Sequence, residues 1–353
     1  MPFTTAQLDA VSHYMLPTHL KKKPIDQITT DKPLFNALMR NKEEWSGAGG
    51  YLTEPLRITN ESNGQDYFGA DQVTYNTRDP IKRTNWKWYN YHQGFGFDED
   101  TLRAAGIIID DDSQQVVTLD EKNRLAHLYN EALESMRLGT QEDLDLRFHL
   151  DGTQSAKAAP GLDFLVSLNP TVGTVGGLDA GQFSFWRNNT NLDIDVTDPA
   201  NGAINAAMKA MWRANTLYGG RAPNLILAGQ KFLEELEKEN RAIHHVNVNT
   251  SGRTGTDMDG AIATTRFNGV AVEWDPTFEK LDEMFGPLAT PWTNRAYMLN
   301  LETLRLRPLS GDWMRGRKPR RLPDRYVHYR AITSKYGLTV GQRNAQAVLS
   351  VDV

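Results

Sequence analysis

The sequence predicts an α+β fold. Three observations carry that prediction: one helical pattern far longer than an ordinary globular helix, short β-rich runs bounded by turn signals through the second half of the chain, and a long glycine-rich connection between the two.

Residues 1–55 read as an N-terminal arm rather than a domain. Residues 5–16 can form a short helix with Leu8, Val11 and Met15 on one face, and Lys21, Lys22, Lys23 and Pro24 interrupt it. Residues 33–45 offer a second helix, ended by the Ser-Gly-Ala-Gly-Gly run at 46–50. Elements this small bury little area alone, so the arm is expected to pack on another surface.

Residues 56–97 read as an extended hairpin. Residues 56–59 alternate like a strand, and 60–85 are polar with scattered apolar positions. Residues 86–97 are dense in aromatics. As a strand they place Tyr89, Tyr91, Phe95 and Phe97 on one face and Trp86 and Trp88 on the other. A two-stranded arm of this kind is marginal alone and needs a partner surface.

Residues 118–150 form the long helix. Thr118 and Glu121 make a capping box, and Leu125, Leu128, Ala132 and Met136 recur at helical spacing. Gly139 marks a possible kink. Leu144 and Phe148 continue the pattern, giving a length of about 50 Å if unbroken. Residues 160–181 then form a glycine-rich loop through Gly161, Gly173, Gly176, Gly177 and Gly181, closing on Phe183, Phe185 and Trp186. Ordering so many glycines costs backbone entropy, and a loop this long in a compact protein is usually functional. It is expected to be held by a neighbouring molecule.

From residue 191 the pattern is α/β. Asp198 caps a helix with Pro199 at its first position, carrying Ile204, Met208, Met211 and Trp212. A strand over 224–228 and a helix over 230–241 follow. Asn268 and Gly269 turn a hairpin spanning 262–274. Residues 297–306 and 326–353 add strands, with a basic loop at 315–325 between them.

Composition excludes several functions. The chain has 353 residues, no cysteine and a net charge of -5. Disulfides, thiolate metal sites and cysteine nucleophiles are ruled out, and coating nucleic acid is disfavoured as a main task. No apolar run approaches the roughly 20 residues that cross a bilayer, so no membrane partner is expected. No basic n-region precedes an apolar core at the start, and no 20–50-residue repeat is present.

Candidate reaction centres fail on spacing. Adjacent His244 and His245 point in different directions and have no i,i+4 partner. Asp193, Asp195, Asp198 and Asn201 lack the glycine and the glutamate of a calcium loop. The glycine runs match neither a dinucleotide fingerprint nor a phosphate loop, and no nucleophile elbow exists. No cofactor, metal or catalytic residue is assigned. The basic loop, with Arg315, Arg317, Lys318, Arg320, Arg321 and Arg325, suits anionic partners.

In their order these parts resemble the major capsid proteins of tailed double-stranded DNA bacteriophages, which have the Hong Kong 97-type fold. The resemblance rests on Asp151-Gly152-Thr153, on Gly161-Leu162-Asp163-Phe164-Leu165, and on the loop ending in Phe185-Trp186-Arg187-Asn188. It implies an N-terminal arm (1–55), an extended E-loop hairpin (56–97), a peripheral domain with the spine helix (98–190), an axial domain (191–325) and returning C-terminal strands (326–353). It further implies pentamers and hexamers of an icosahedral head, assembled in the host cytoplasm. Implied partners are a scaffolding protein, a portal, a decoration protein in some shells, and packaged DNA held by weak non-specific contact. The implied contact residues are Lys82, Arg83, Trp86, Trp88, Tyr89, Gly173, Gly176 and Gly177, with the six cations of the basic loop. Two alternatives stand beside it: an encapsulin-like compartment of the same fold, and a carbohydrate-active enzyme using two carboxylates and the aromatic strand.

Overall fold

The computed structural model describes residues 29–47, 50–59, 64–75, 80–104, 119–219, 222–243, 266–286, 288–318 and 327–352. In chain order the strands are β1 (Leu52–Arg57), β2 (Ile81–Trp86), β3 (Tyr89–Asp98), β4 (Thr174–Val175), β5 (Leu178–Asp179), β6 (Asn189–Asp195) and β7 (Leu225–Ala228). They continue with β8 (Arg266–Phe267), β9 (Val270–Trp274), β10 (Arg295–Leu299), β11 (Leu304–Pro308), β12 (Arg315–Arg317), β13 (Val327–Val340) and β14 (Ala347–Asp352). The helices are α1 (Pro33–Arg40), α2 (Glu99–Ala104), α3 (Leu119–His149), α4 (Leu162–Leu165), α5 (Ala203–Thr216), α6 (Gln230–Ile243) and α7 (Thr277–Phe285). The chain divides into two compact units: the described part of one comes mainly from Asn90–Leu144 and Leu309–Lys335, and the other is Asp31–Tyr89, Asp145–Pro308 and Tyr336–Val353.

The second unit is built on a six-stranded mixed sheet in the order β6-β14-β10-β7-β9-β8. Successive side chains of its central strands point to opposite faces, and both sets are apolar because both faces are packed. Ile226, Ala228, Ala296, Met298, Ala347, Leu349 and Val351 enter one core with Ile204 and Met208 of α5 and Phe232 and Leu236 of α6. The intervening positions face the other way, where Tyr297 stacks on Trp292 and meets Phe278. Asn268 (φ 48) and Gly269 (φ 87) are both left-handed, the geometry of a tight primed hairpin between β8 and β9. The expected hairpin is confirmed from Arg266 onward; its earlier part lies outside the described residues.

Two expectations are corrected. Residues 86–97 are not one strand, because β2 ends at Trp86 and β3 begins at Tyr89. Pro199 starts only a 3-10 turn over Pro199–Asn201, and Gly202 (φ 68) breaks it before α5 begins at Ala203. The first turn of α5 is capped from a distance: the buried Glu239 carboxylate accepts the N–H groups of Ile204 (2.7 Å) and Asn205 (2.8 Å). Gly139 does not end α3, which runs through it for 31 residues.

The helix at 33–45 stops at Arg40, and the chain then extends so that the N–H groups of Glu43 and Trp45 bond the carbonyls of Leu306 and Pro308. Leu34, Phe35 and Leu38 are buried, and Phe35 stacks on Phe148. The surface this stretch packs on is therefore its own unit.

In the first unit β3 and β12 both pair with β13. The Gln93 carbonyl of β3 accepts from Tyr91 Oη (2.8 Å) and from Thr140 Oγ1 of α3 (2.7 Å). This side-chain bond ties the helix to the strand within that unit.

Candidate assembly surfaces

Strand β1 pairs antiparallel with β2, from Leu52 opposite Trp86 to Arg57 opposite Ile81, and Ile58 N–H to Pro80 C=O extends the ladder. Beyond it the described stretch 64–75 is exposed throughout. Tyr67 is 68%, Phe68 89% and Tyr75 92% accessible. Its internal order is local: Asp71 accepts from the Phe68 N–H, and Gln65 accepts from the Thr74 N–H. Aromatic rings this bare gain stability only against another surface.

The arm's base is different. Trp86 is buried and its indole N–H donates to Thr84 Oγ1. Asn85 N–H donates to Gly176 C=O at 2.8 Å, and a Cβ on Gly176 would stand 2.9 Å from the Trp86 ring. Gly176 also has φ 60, so both conformation and contact demand glycine there. Trp88 packs edge-on against Trp45. Burial raises the Tyr89 phenol above its ordinary value. Lys82 is half-buried and Arg83 exposed on β2, and Gly173 and Gly177 have open space beside them.

The glycine-rich loop is held by its own chain. Val175 and Leu178 are buried in the small β4–β5 hairpin, and the indole N–H of Trp186, 2% exposed, donates to Val175 C=O at 2.9 Å. Arg187 bonds the Ala180 and Gly181 carbonyls. Buried Arg343 donates to Leu165 C=O (2.7 Å) and Trp186 C=O (3.1 Å), pinning the two ends of the loop together. Burial pushes its pKa down to about 10. The loop is thus anchored by partners in its own chain.

Of the basic segment, Arg315, Arg317 and Lys318 are described and exposed, whereas Arg320, Arg321 and Arg325 lie outside the described residues. Asp312 takes Arg315 at 3.3 Å and Arg317 at 2.8 Å. His244 and His245 also lie outside. Asp195 and Asp198 accept from backbone N–H groups two residues ahead, as capping side chains do.

Sequence reasoning missed one cluster. Asp145, His149 and Asp275 are all buried and close enough to hold a metal ion. Their bonds are spent on one another. His149 Nδ1 lies 2.8 Å from Asp145 C=O, and its Nε2 lies 2.9 Å from Asp275 Oδ2. Both partners only accept, so both ring nitrogens donate and the ring is an imidazolium. Asp145 accepts from Thr277 Oγ1 (2.7 Å) and Phe35 N–H (3.1 Å). Burial alone would lower the His149 pKa, but Asp275 and then Asp145 hold it up to about 9. Asp275 is drawn below the usual carboxylate range by His149 against the opposing effect of burial, while burial raises Asp145. The cluster locks the end of α3 to α1 and to the turn before α7. Its helical half, at i and i+4, is visible in sequence; Asp275 is 126 residues away.

No family model and no curated protein matches the sequence. Solved structures do. A chain of the capsid asymmetric unit of cyanophage A-1(L) aligns with a TM-score of 0.63 at 14% identity, over 96% of this chain and 98% of that one. The capsid of a native GTA particle aligns at 0.55 and 12%, covering 96% and 98%. A chain of Gordonia phage Cozz aligns at 0.54 and 13%, covering 96% and 92%. The chain has the α+β fold of phage capsid subunits.

Proposed function

We propose that this chain is a major capsid protein that self-assembles into pentamers and hexamers of an icosahedral head around double-stranded DNA. The observation that carries the reading is end-to-end likeness: the match takes in 96% of this chain and 98% of a cyanophage capsid chain. The bare aromatic stretch 64–75 supports it, because a shell subunit needs protruding surface that sister copies cover. Ring contacts are heterologous, so one face of the chain meets a different face of the next. Lys82, Arg83, Trp88 and Tyr89 at the arm's base, the open flank at Gly173 and Gly177, and the basic segment belong to these contacts in this reading; Trp86 and Gly176 support the arm from within. Scaffolding and portal proteins act during assembly in the host cytoplasm, and DNA is held without base recognition.

Expression of the chain followed by negative-stain microscopy and light scattering tests this. Megadalton shells with nuclease-protected nucleic acid are the expected result when packaging partners are present. Shells with protein cargo and no nucleic acid would favour a compartment, and a small stable oligomer under all conditions would overturn the shell reading.

A further inference from the structure

We propose that the acidic cleft on both sides of Trp274 docks the arginine-rich segment 315–325 of a second copy of this chain, a contact that rests on the shell reading and specifies it. Trp274 ends β9 with its indole 49% exposed, unusual for the largest side chain beside a packed sheet. Two adjoining clefts of about 750 and 420 Å³ share Trp274 and Glu237 in their walls. The larger also carries Glu273 and the smaller Glu234 and Glu279, while Arg40 is the single cation among the described lining residues. Among the described residues Arg241 pairs with Glu237 at 3.3 Å and Gln230 Nε2 donates to Glu234 at 2.9 Å, and the lining carboxylates still outnumber the cations around an exposed ring. Guanidinium groups suit that combination, stacking on an indole face while their edges bond carboxylates.

The same chain supplies such groups. Residues 315–325 carry Arg315, Arg317, Lys318, Arg320, Arg321 and Arg325 against Asp324, in a protein of net charge -5. Asp312 answers two of them, so positive charge remains in excess. A cationic segment and an anionic cleft on one chain form the two unlike halves of a heterologous ring contact.

A synthetic peptide of residues 314–326, titrated calorimetrically into the purified chain, tests docking whether or not shells form. Saturable binding is expected, weakening about tenfold when Glu234→Lys and Glu273→Lys are combined, a change on exposed side chains. No saturable binding, or equal affinity for the variant, overturns the proposal. Assembly then separates copies from self-contact. The cleft variant (Glu234→Lys, Glu273→Lys) and the segment variant (Arg320→Glu, Arg321→Glu) should each lose hexamers, and their equimolar mixture should regain them by alternation. Rescue only when all four changes share one chain would place the segment in its own cleft and overturn the contact between copies. Failure of the wild-type chain to form particles would sink the shell reading, leaving the peptide titration to decide docking.

Discussion

The glycine-rich loop at 160–181 and the polar stretch at 64–75 are both long runs without helical or strand periodicity, and as sequence neither explains its own stability. In the structure they part company. The loop ends in Trp186, which is buried, and is pinned across its ends by Arg343. The polar stretch keeps Tyr67, Phe68 and Tyr75 in solvent and bonds mostly to itself. What decides order is thus a buried anchor with satisfied polar atoms, not the number of breakers a segment contains. One region spends its aromatics within the subunit; the other leaves them in solvent.

Removing the anchor should break the contrast most sharply. Trp186→Ala deletes a ring 2% exposed and the bond to Val175 C=O, and should cost about 3–5 kcal/mol. Urea unfolding would read it as a lower midpoint with little change in slope. An unchanged midpoint would show that the loop is held by something other than its own chain.

The imidazolium cluster is a second internal anchor, and it predicts a pH dependence. His149 has a folded pKa of about 9 against 6.5 unfolded. A raised folded value gives stability that is full below pH 6.5 and is lost as pH rises through 9. The gap corresponds to about 3 kcal/mol. His149→Ala should lower the melting temperature at pH 6 and flatten the dependence between those limits. A variant that melts lower but keeps the wild-type slope would assign the titration to another group.

Gly176→Ala is expected to cost about 1–2 kcal/mol, since its φ of 60 and its contact with Trp86 both resist a Cβ. Gly177→Ala, with φ 83 but open space, should cost less because only the backbone term applies. Equal losses in the two melts would mean that the Trp86 contact contributes nothing.

Local signals were readable where local physics sets the structure. The long helix was bounded to within a residue at each end, and Asn268–Gly269 marked its turn because left-handed backbone limits the choice of residues. Distant partners were not readable. Glu239 caps α5 from another helix, Asp275 reaches His149 across 126 residues, and Arg343 grips Leu165 across 178. Each looks in sequence like an ordinary surface charge. The same blindness hid the in-chain anchor of the glycine-rich loop: its breakers are local, whereas Arg343 lies far along the chain. Trp186 was named for its place at the loop's end, but nothing nearby in sequence said that it would be buried.

The smallest effect on the subunit should accompany the largest effect on assembly. Phe68 is 89% accessible, so Phe68→Ser removes almost no buried area and should move stability by less than about 0.5 kcal/mol. Tyr75→Ser should behave alike, at 92% accessible. If these rings are covered by a sister copy, each shell repeats the loss at every contact, and a small pairwise deficit becomes a large collective one. Native light scattering should then show smaller species or a higher critical concentration, while the melting curve of the dissociated subunit stays unchanged. Normal particles from the doubly substituted chain would mean that the exposed rings do not serve assembly, and the contrast between the two regions would end at the subunit.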